Sequence, residues 1–349
     1  MVFNRKEPNF LAETPTKNDS MPAFRTILDP TKFPFDISHE HSILCLGSCF
    51  AEHIGQRLIN RKFETLINPF GILFNPVSMQ ISLQMLMQAY SFSERDIFTQ
   101  QGRWNSFYHH SRFSQLSASA LLEHLEREAE VARHFIDKTD RLIITLGTAW
   151  VYVHKERGEV VANCHKLPAE QFYRKMLSVP EIISALGPVI RQFQARRESL
   201  QVILTVSPVR HIKDGLLENQ RSKAALLLAA SQLAEDLNYV HYFPAYELMM
   251  DDLRDYRFYQ ADMIHPTEQA IDYIWQAFLT STISPKTQDL FRIIEKVQAA
   301  VHHRPFQPAS QAHQKFLRAQ INQIDQLNET YPQLSFQKER QAFARQLIE

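Results

Sequence analysis

Residues 42–55 read SILCLGSCFAEHIG, and the fold follows from how that stretch breaks. A short apolar run, 43–46, stops at Gly47, and two small nucleophilic residues, Ser48 and Cys49, follow. A pattern with helical spacing then runs from 50 to 60. A strand that turns sharply into a helix leaves the turn's side chains and N–H groups facing open space. That geometry suits a nucleophile and the anion it creates. The same strand-then-helix grammar recurs downstream. Buried strands are expected at 141–146 (RLIITL), 201–206 (QVILTV) and 239–243, with helices at 77–90, 118–135, 180–197, 216–237 and 266–281. A β excursion is expected over 151–162, turning at Gly158, and 68–76 (NPFGILFNP) reads as an ordered loop.

Short apolar strands alternating with helices imply a parallel sheet covered on both faces, a three-layer α/β/α fold. Ligands of such sheets sit at the carboxyl ends of the strands. Gly47-Ser48, Gly147-Thr148 and Ser207-Pro208 each follow a strand and so could line one crevice. Residues 1–284 are read as this α/β domain, with 1–40 as an irregular, proline-punctuated arm. From 285 to 349 the chain becomes Gln-rich and helical, an appendage for packing or self-association.

Composition narrows the function classes. Lys+Arg and Asp+Glu both number 38, so no basic field favours nucleic acid and no polybasic run favours a membrane surface. The N-terminus MVFNRKEPNF has no apolar h-region, and three Cys in 349 residues make no disulfide framework. A cytoplasmic location is expected. Only 8 glycines occur, and three of them, Gly47, Gly71 and Gly147, fall in loops beside the expected crevice.

The chemistry rests on two segments. Cys49 at a helix N-terminus would have its thiolate favoured by the helix dipole, and Ser48 would serve equally once a base removed its proton. The plainer alternative is a tight turn with Ser48 as helix cap and Cys49 packed inside. Far downstream, Asp262-Met263-Ile264-His265-Pro266 supplies a carboxylate that can accept the Nδ1–H of an imidazole and leave its Nε2 as base. Pro266 suits the first turn of a helix, and a surface Asp–His pair that merely caps it is the competing reading. Asn163 and His165 suggest contacts to substrate, and Arg210 offers a fork for an anionic group. Cys164 and His165 with Cys49 and His265 lack zinc-ligand spacing, so no metal and no cofactor is expected.

These residues carry a resemblance. Gly47-Ser48-Cys49-Phe50-Ala51 matches the signature of the GSCFA-domain family, which resembles a branch of the SGNH, or GDSL-type, hydrolase superfamily. The likeness extends over roughly 25–285, through Asn68-Pro69-Phe70-Gly71, Leu146-Gly147-Thr148, Ser207-Pro208-Val209-Arg210-His211 and Asp262–Pro266. It implies a flavodoxin-like α/β/α fold, a nucleophile–His265–Asp262 triad, and an oxyanion hole from the nucleophile's N–H, the Gly71 N–H and an asparagine. The superfamily's G-D-S spacing puts the nucleophile at Cys49, whereas a turn shifted by one residue puts it at Ser48. Its G-x-N-D asparagine is absent, because the chain reads Gly147-Thr148-Ala149-Trp150. Thr148 and Asn163 are the candidates to replace it.

Three functions compete. An esterase-like hydrolase would cleave a small-molecule or glycan ester through an acyl-enzyme. An acyltransferase would pass the same acyl group to an acceptor. A binding module would keep the pocket without turnover.

Overall fold

The computed structural model describes residues 25–348. Strand β1 (Ser42–Gly47) turns through Ser48 into helix α1 (Cys49–Asn60), and β2 (Glu64–Ile67) returns alongside. The loop after β2 ends at Asn75, whose side chain caps α2 (Pro76–Met87) by accepting the Ser78 N–H at 2.8 Å. A small hairpin, β3 (Ile97–Gln100) and β4 (Arg103–Ser106), precedes α3 (Ala118–Ile136) and β5 (Thr139–Leu146). An antiparallel sheet of β6 (Trp150–His154), β7 (Glu159–Val161) and β8 (Phe172–Met176) interrupts the alternation before α4 (Val179–Arg196). Then come β9 (Gln201–Val206), α5 (Leu216–Asp236), β10 (Val240–Phe243) and the short α6 (Ala245–Glu247), which runs into a π turn, Leu248–Leu253. Helices α7 (Glu268–Thr282), α8 (Pro285–His302), α9 (Gln311–Thr330) and α10 (Gln337–Ala344) complete the chain.

The main sheet is wholly parallel, in the order β10-β9-β5-β1-β2. Numbered by chain order, its five strands run 2-1-3-4-5, the flavodoxin-like arrangement. Strand order reverses between β1 and β5, so the crevice for a ligand opens at Gly47 and Gly147. Period-two alternation divides the strands' side chains between two helix layers. Leu44, Leu46, Leu142, Ile144, Val202 and Leu204 pack under α2–α5. Ile43, Cys45, Ile143 and Ile203 pack under α1 and α7, where Phe291 of α8, Phe343 of α10 and Phe336 just before α10 join the same apolar layer. Each such fully buried aliphatic or aromatic side chain contributes about 1.5–3 kcal/mol.

Two features depart from the sequence expectation. The expected helix start at Pro266 lies two residues before α7: Pro266 pairs with Tyr259 in an isolated bridge, and Thr267 is the cap. Strands β2, β3, β4 and β8 were not expected at all, being short or largely solvent-facing and without a continuous apolar run. Residues 1–24 of the expected arm lie outside the described residues. From 25 to 41 the chain has no helix or strand and is tied to α7 by Phe33 N–H to Ser281 O at 2.9 Å and Ile37 N–H to Thr282 O at 2.7 Å.

Candidate active site

The β1–α1 turn is held by backbone groups and by the Asn68 side chain. Gly47 has φ +137°, and a Cβ there would lie 2.2 Å from the Thr145 carbonyl oxygen of β5, so only glycine fits. Its N–H donates to Asn68 Oδ1 at 2.8 Å, and its carbonyl accepts the Leu73 N–H at 3.0 Å. Ser48 is fully buried, and its Oγ accepts the Phe50 N–H at 3.3 Å as the cap of α1. Cys49 begins α1, half-buried, with its thiol on a cleft shared with Glu52, His53, Arg57 and Arg112. The structure thus places Ser48 in a capping role and Cys49 at an open surface.

The expected lowering of the Cys49 thiol by the helix end is corrected. Burial, then the Glu52 carboxylate, push it above its ordinary value. The amides of Cys49 and Phe50 and the cation of Lys223 pull the other way, and together they do not prevail.

The second segment is a tight loop between Tyr259 and Pro266. Asp262 Oδ1 accepts the N–H groups of Ile264 (2.8 Å) and His265 (3.0 Å), while Oδ2 lies 2.7 Å from His265 Nδ1. The His265 ring, then these two amides, hold the Asp262 carboxyl down to about 2. With Nδ1 engaged, Nε2 is the ring nitrogen left for proton transfer. The Gln260 N–H donates to His265 O at 2.8 Å, and Met263 takes a left-handed φ of +57°.

Arg210, expected to offer a fork to an anionic group, lines a cavity of about 430 Å³ with Gln220, Tyr246 and Tyr256 and also contacts this loop. Its N–H donates to Ile264 O at 3.2 Å and its Nη1 to Met263 O at 3.4 Å, and its guanidinium lies 3.9 Å over the Tyr259 ring.

The expected oxyanion donors fare unevenly. Gly71 N–H donates to Asn68 O at 2.7 Å inside its own turn, and so is corrected as a free donor. Gly147 and Thr148 N–H both donate to Phe74 O at 2.9 Å. The Thr148 hydroxyl is 3.0 Å from Ser222 Oγ and also accepts the Trp150 N–H at 3.2 Å. His165 is largely buried with Nε2 2.8 Å from Ser106 O, and with Asn163 it borders a cavity of about 430 Å³ beside Asn105 and Lys166. Asn163 accepts the His165 N–H at 2.8 Å and borders a cavity of about 420 Å³ that also touches Thr148, Trp150, Tyr152, His211 and Ile264. That cavity reaches the His265 loop through Ile264.

Sequence reasoning missed Lys223. It sits on the core-facing stripe of α5 with Asn219, Leu226, Ala230 and Leu233, fully buried, and its Nζ donates to Gly147 O and Ser207 O, both at 2.7 Å. The legible signal is a lysine at i, i+3 and i+7 spacing among buried positions. Burial holds its amine down to about 7, the Cys49 thiolate opposing. His211 beside it is pushed down to about 3, by burial first and then by Lys223.

A stability prediction follows from Lys223. In the unfolded chain the lysine keeps its proton to about pH 10.5, while in the fold it releases it near 7. Between those values the unfolded state binds more protons, so stability rises with pH. From about pH 6.5 to about pH 9.5 this group should add about 3 kcal/mol. Urea unfolding of wild type and Lys223→Met at both pH values checks it: the variant should lack that gain, and parallel curves would refute it.

Among proteins, the match follows the site's own blocks. The family model described as GSCFA family aligns with residues 42–278, from the start of β1 into α7, and the GSCFA domain protein C-terminal domain aligns with 294–349. The chain belongs to the GSCFA family. No curated protein and no solved structure matched it. Among the described residues, no helix is long and apolar enough to cross a membrane.

Proposed function

We propose that the protein is an esterase-like hydrolase that cleaves carboxylic esters through an acyl-enzyme on Cys49. The observation that supports this most is the Asp262 carboxylate, fixed by three hydrogen bonds on the His265 loop, which leaves His265 Nε2 for proton transfer. In the first half-reaction Cys49 Sγ bonds to the ester carbonyl carbon, His265 Nε2 takes the thiol proton, and the alcohol leaves carrying that proton. In the second, water adds to the thioester, His265 takes its proton, and the thiol is regained as the acid departs. Asp262 keeps the imidazole in the right tautomer and steadies the imidazolium. The N–H of Cys49, at the positive end of α1, is the candidate oxyanion donor in place of the absent asparagine. The resemblance to SGNH-type enzymes points the same way, and the aromatic and amide lining of the 420 Å³ cavity suits an acylated carbohydrate.

Acyl transfer is the second reading. That cavity adjoins the His265 loop without including Cys49, so it has room for an acceptor. A panel of short-chain p-nitrophenyl esters with wild type, Cys49→Ala and Ser48→Ala tests both. Turnover and a trapped acyl mass on the Cys49 peptide are expected, lost in Cys49→Ala and retained in Ser48→Ala. Product that forms only when an alcohol or amine is added would favour transfer. Neither turnover nor adduct in folded wild type would leave a binding module.

A further inference from the structure

The cavity of about 430 Å³ between the β3–β4 turn and residues 163–166 is used by neither half-reaction. Every side chain that lines it is polar, and none is acidic. That sets it apart electrostatically. The cavity at Arg210 includes Asp251 and Asp255, and the cleft at Cys49 includes Glu52. Here Arg103 and Lys166 bring two cationic heads, and among the described residues neither head has an ion pair or a hydrogen bond. The side-chain amides nearby bond instead to their backbone carbonyls, Asn105 Nδ2 to Arg103 O at 2.9 Å and Gln100 Nε2 to Lys166 O at 3.3 Å.

The polar floor beneath these cations is fixed. Asn105 is 5 % exposed and His165 8 %. Asn105 Oδ1 accepts the Ser114 hydroxyl at 2.6 Å, and His165 Nε2 donates to Ser106 O at 2.8 Å. Asn163 Oδ1 accepts the His165 N–H at 2.8 Å, so the amide NH₂ of Asn163 is the end left for a ligand. Both walls hold left-handed backbone. Gln101 and Gly102, at φ +52° and +73°, make the hairpin turn, and His165 and Lys166 follow one another at +47° and +58°. For a histidine and a lysine this conformation is strained, and it persists only where surrounding bonds over-determine it. Its result is to bring two residues adjacent in sequence to one cavity.

We propose that this cavity is an oxyanion-binding site, where Arg103 and Lys166 supply charge and Asn163 and Ser111 supply neutral donors to a phosphate, sulfate or carboxylate group of a small ligand. A guanidinium offers such a group a bidentate fork, and an ammonium a point charge. With no carboxylate in the wall, an entering anion meets attraction without repulsion. Asn163 is shared with the 420 Å³ cavity that touches Ile264, which makes that cavity the place for the uncharged remainder of the ligand.

The experiment is thermal unfolding of the full chain in sodium phosphate, sulfate or acetate against sodium chloride at matched ionic strength. It compares wild type with Lys166→Asn, Arg103→Gln and Arg103→Lys. Asparagine tolerates the left-handed backbone at 166, so that variant removes the charge and keeps the turn. Wild type should gain Tm as the anion fills one site. Lys166→Asn and Arg103→Gln should each need about tenfold more anion for the same rise, the effect of one charge-assisted hydrogen bond. Arg103→Lys should keep most of the affinity. A rise with phosphate and sulfate supports a tetrahedral group, and a rise with acetate alone supports a carboxylate. Phosphate and sulfate also stabilise proteins by exclusion from their surface. Equal rises in wild type and the two neutral variants therefore overturn the proposal, as does a wild type that none of the three anions raises above chloride. Neither Cys49 nor any ester enters this test, so the proposal and the hydrolase reading fail separately.

Discussion

His265→Ala should lower kcat/KM for an activated ester by a factor on the order of 10⁴ or more, with KM little changed. In the proposed mechanism the imidazole passes the thiol proton to the leaving alcohol in the first half-reaction and takes the proton of water in the second, so its loss falls on both. The need for a base is sharpened by the Cys49 thiol, which burial and Glu52 push up. A thiol already ionised could attack unaided; this one requires help. Asp262→Asn should cost less than His265→Ala, on the order of 10²–10⁴ in a residue that orients and does not itself carry the proton. Asp262 is held down to about 2, so it remains a carboxylate throughout the range in which such assays run. Steady-state kinetics of both variants beside Cys49→Ala provide the check. A His265→Ala protein with near wild-type kcat/KM would remove this residue from the mechanism.

Gly47→Ala should be the most damaging single methyl in the chain. The new Cβ would meet the Thr145 carbonyl oxygen at 2.2 Å and its carbon and nitrogen at 2.9 Å, all backbone of the neighbouring central strand. No side chain can rotate aside, and φ +137° is a region that alanine rarely enters. Relief requires parting β1 from β5 or flattening the turn, and either moves Cys49. A loss of about 4 kcal/mol or more is expected, in the range kept for strain and overpacking at special positions. Gly158→Ala is the control: its φ is also positive, at +68°, but nothing lies within 4 Å of the added carbon. It should cost about 1–2 kcal/mol, for the backbone conformation alone. Urea denaturation of the two variants separates the terms, and equal losses would refute the steric account.

Much of the architecture was legible because buried parallel strands announce themselves. LIITL and VILTV are continuous apolar runs that fit few other places, and helices such as α3 and α5 keep their spacing over five or more turns. The shorter β2 and β8 were not, since ETLI and FYRKM owe their conformation to pairing with β1 and β6 rather than to their own composition. At the site, the Asp262–His265 contact could be foreseen from a three-residue spacing. The partners of Gly71, Arg210 and His165 could not, for each is decided by a backbone carbonyl brought near by the fold: Asn68 O, Ile264 and Met263 O, and Ser106 O. Lys223 was missed for the opposite reason. A lysine in a polar-looking helix is normally a solvated one, and only the packing of α5 against the sheet turns its amine inward.

The turn that carries Cys49 belongs to the first βα unit, and the loop that carries His265 follows the last strand of the sheet. During synthesis the thiol therefore leaves the ribosome long before its imidazole exists. A nascent chain that has laid down β1, β2, β5 and β9 holds a finished turn and no base. Loop residues 259–266 then meet Arg210, at the end of β9, through the carbonyls of Met263 and Ile264. The order of synthesis thus separates the two halves of the proposed site by most of the α/β domain.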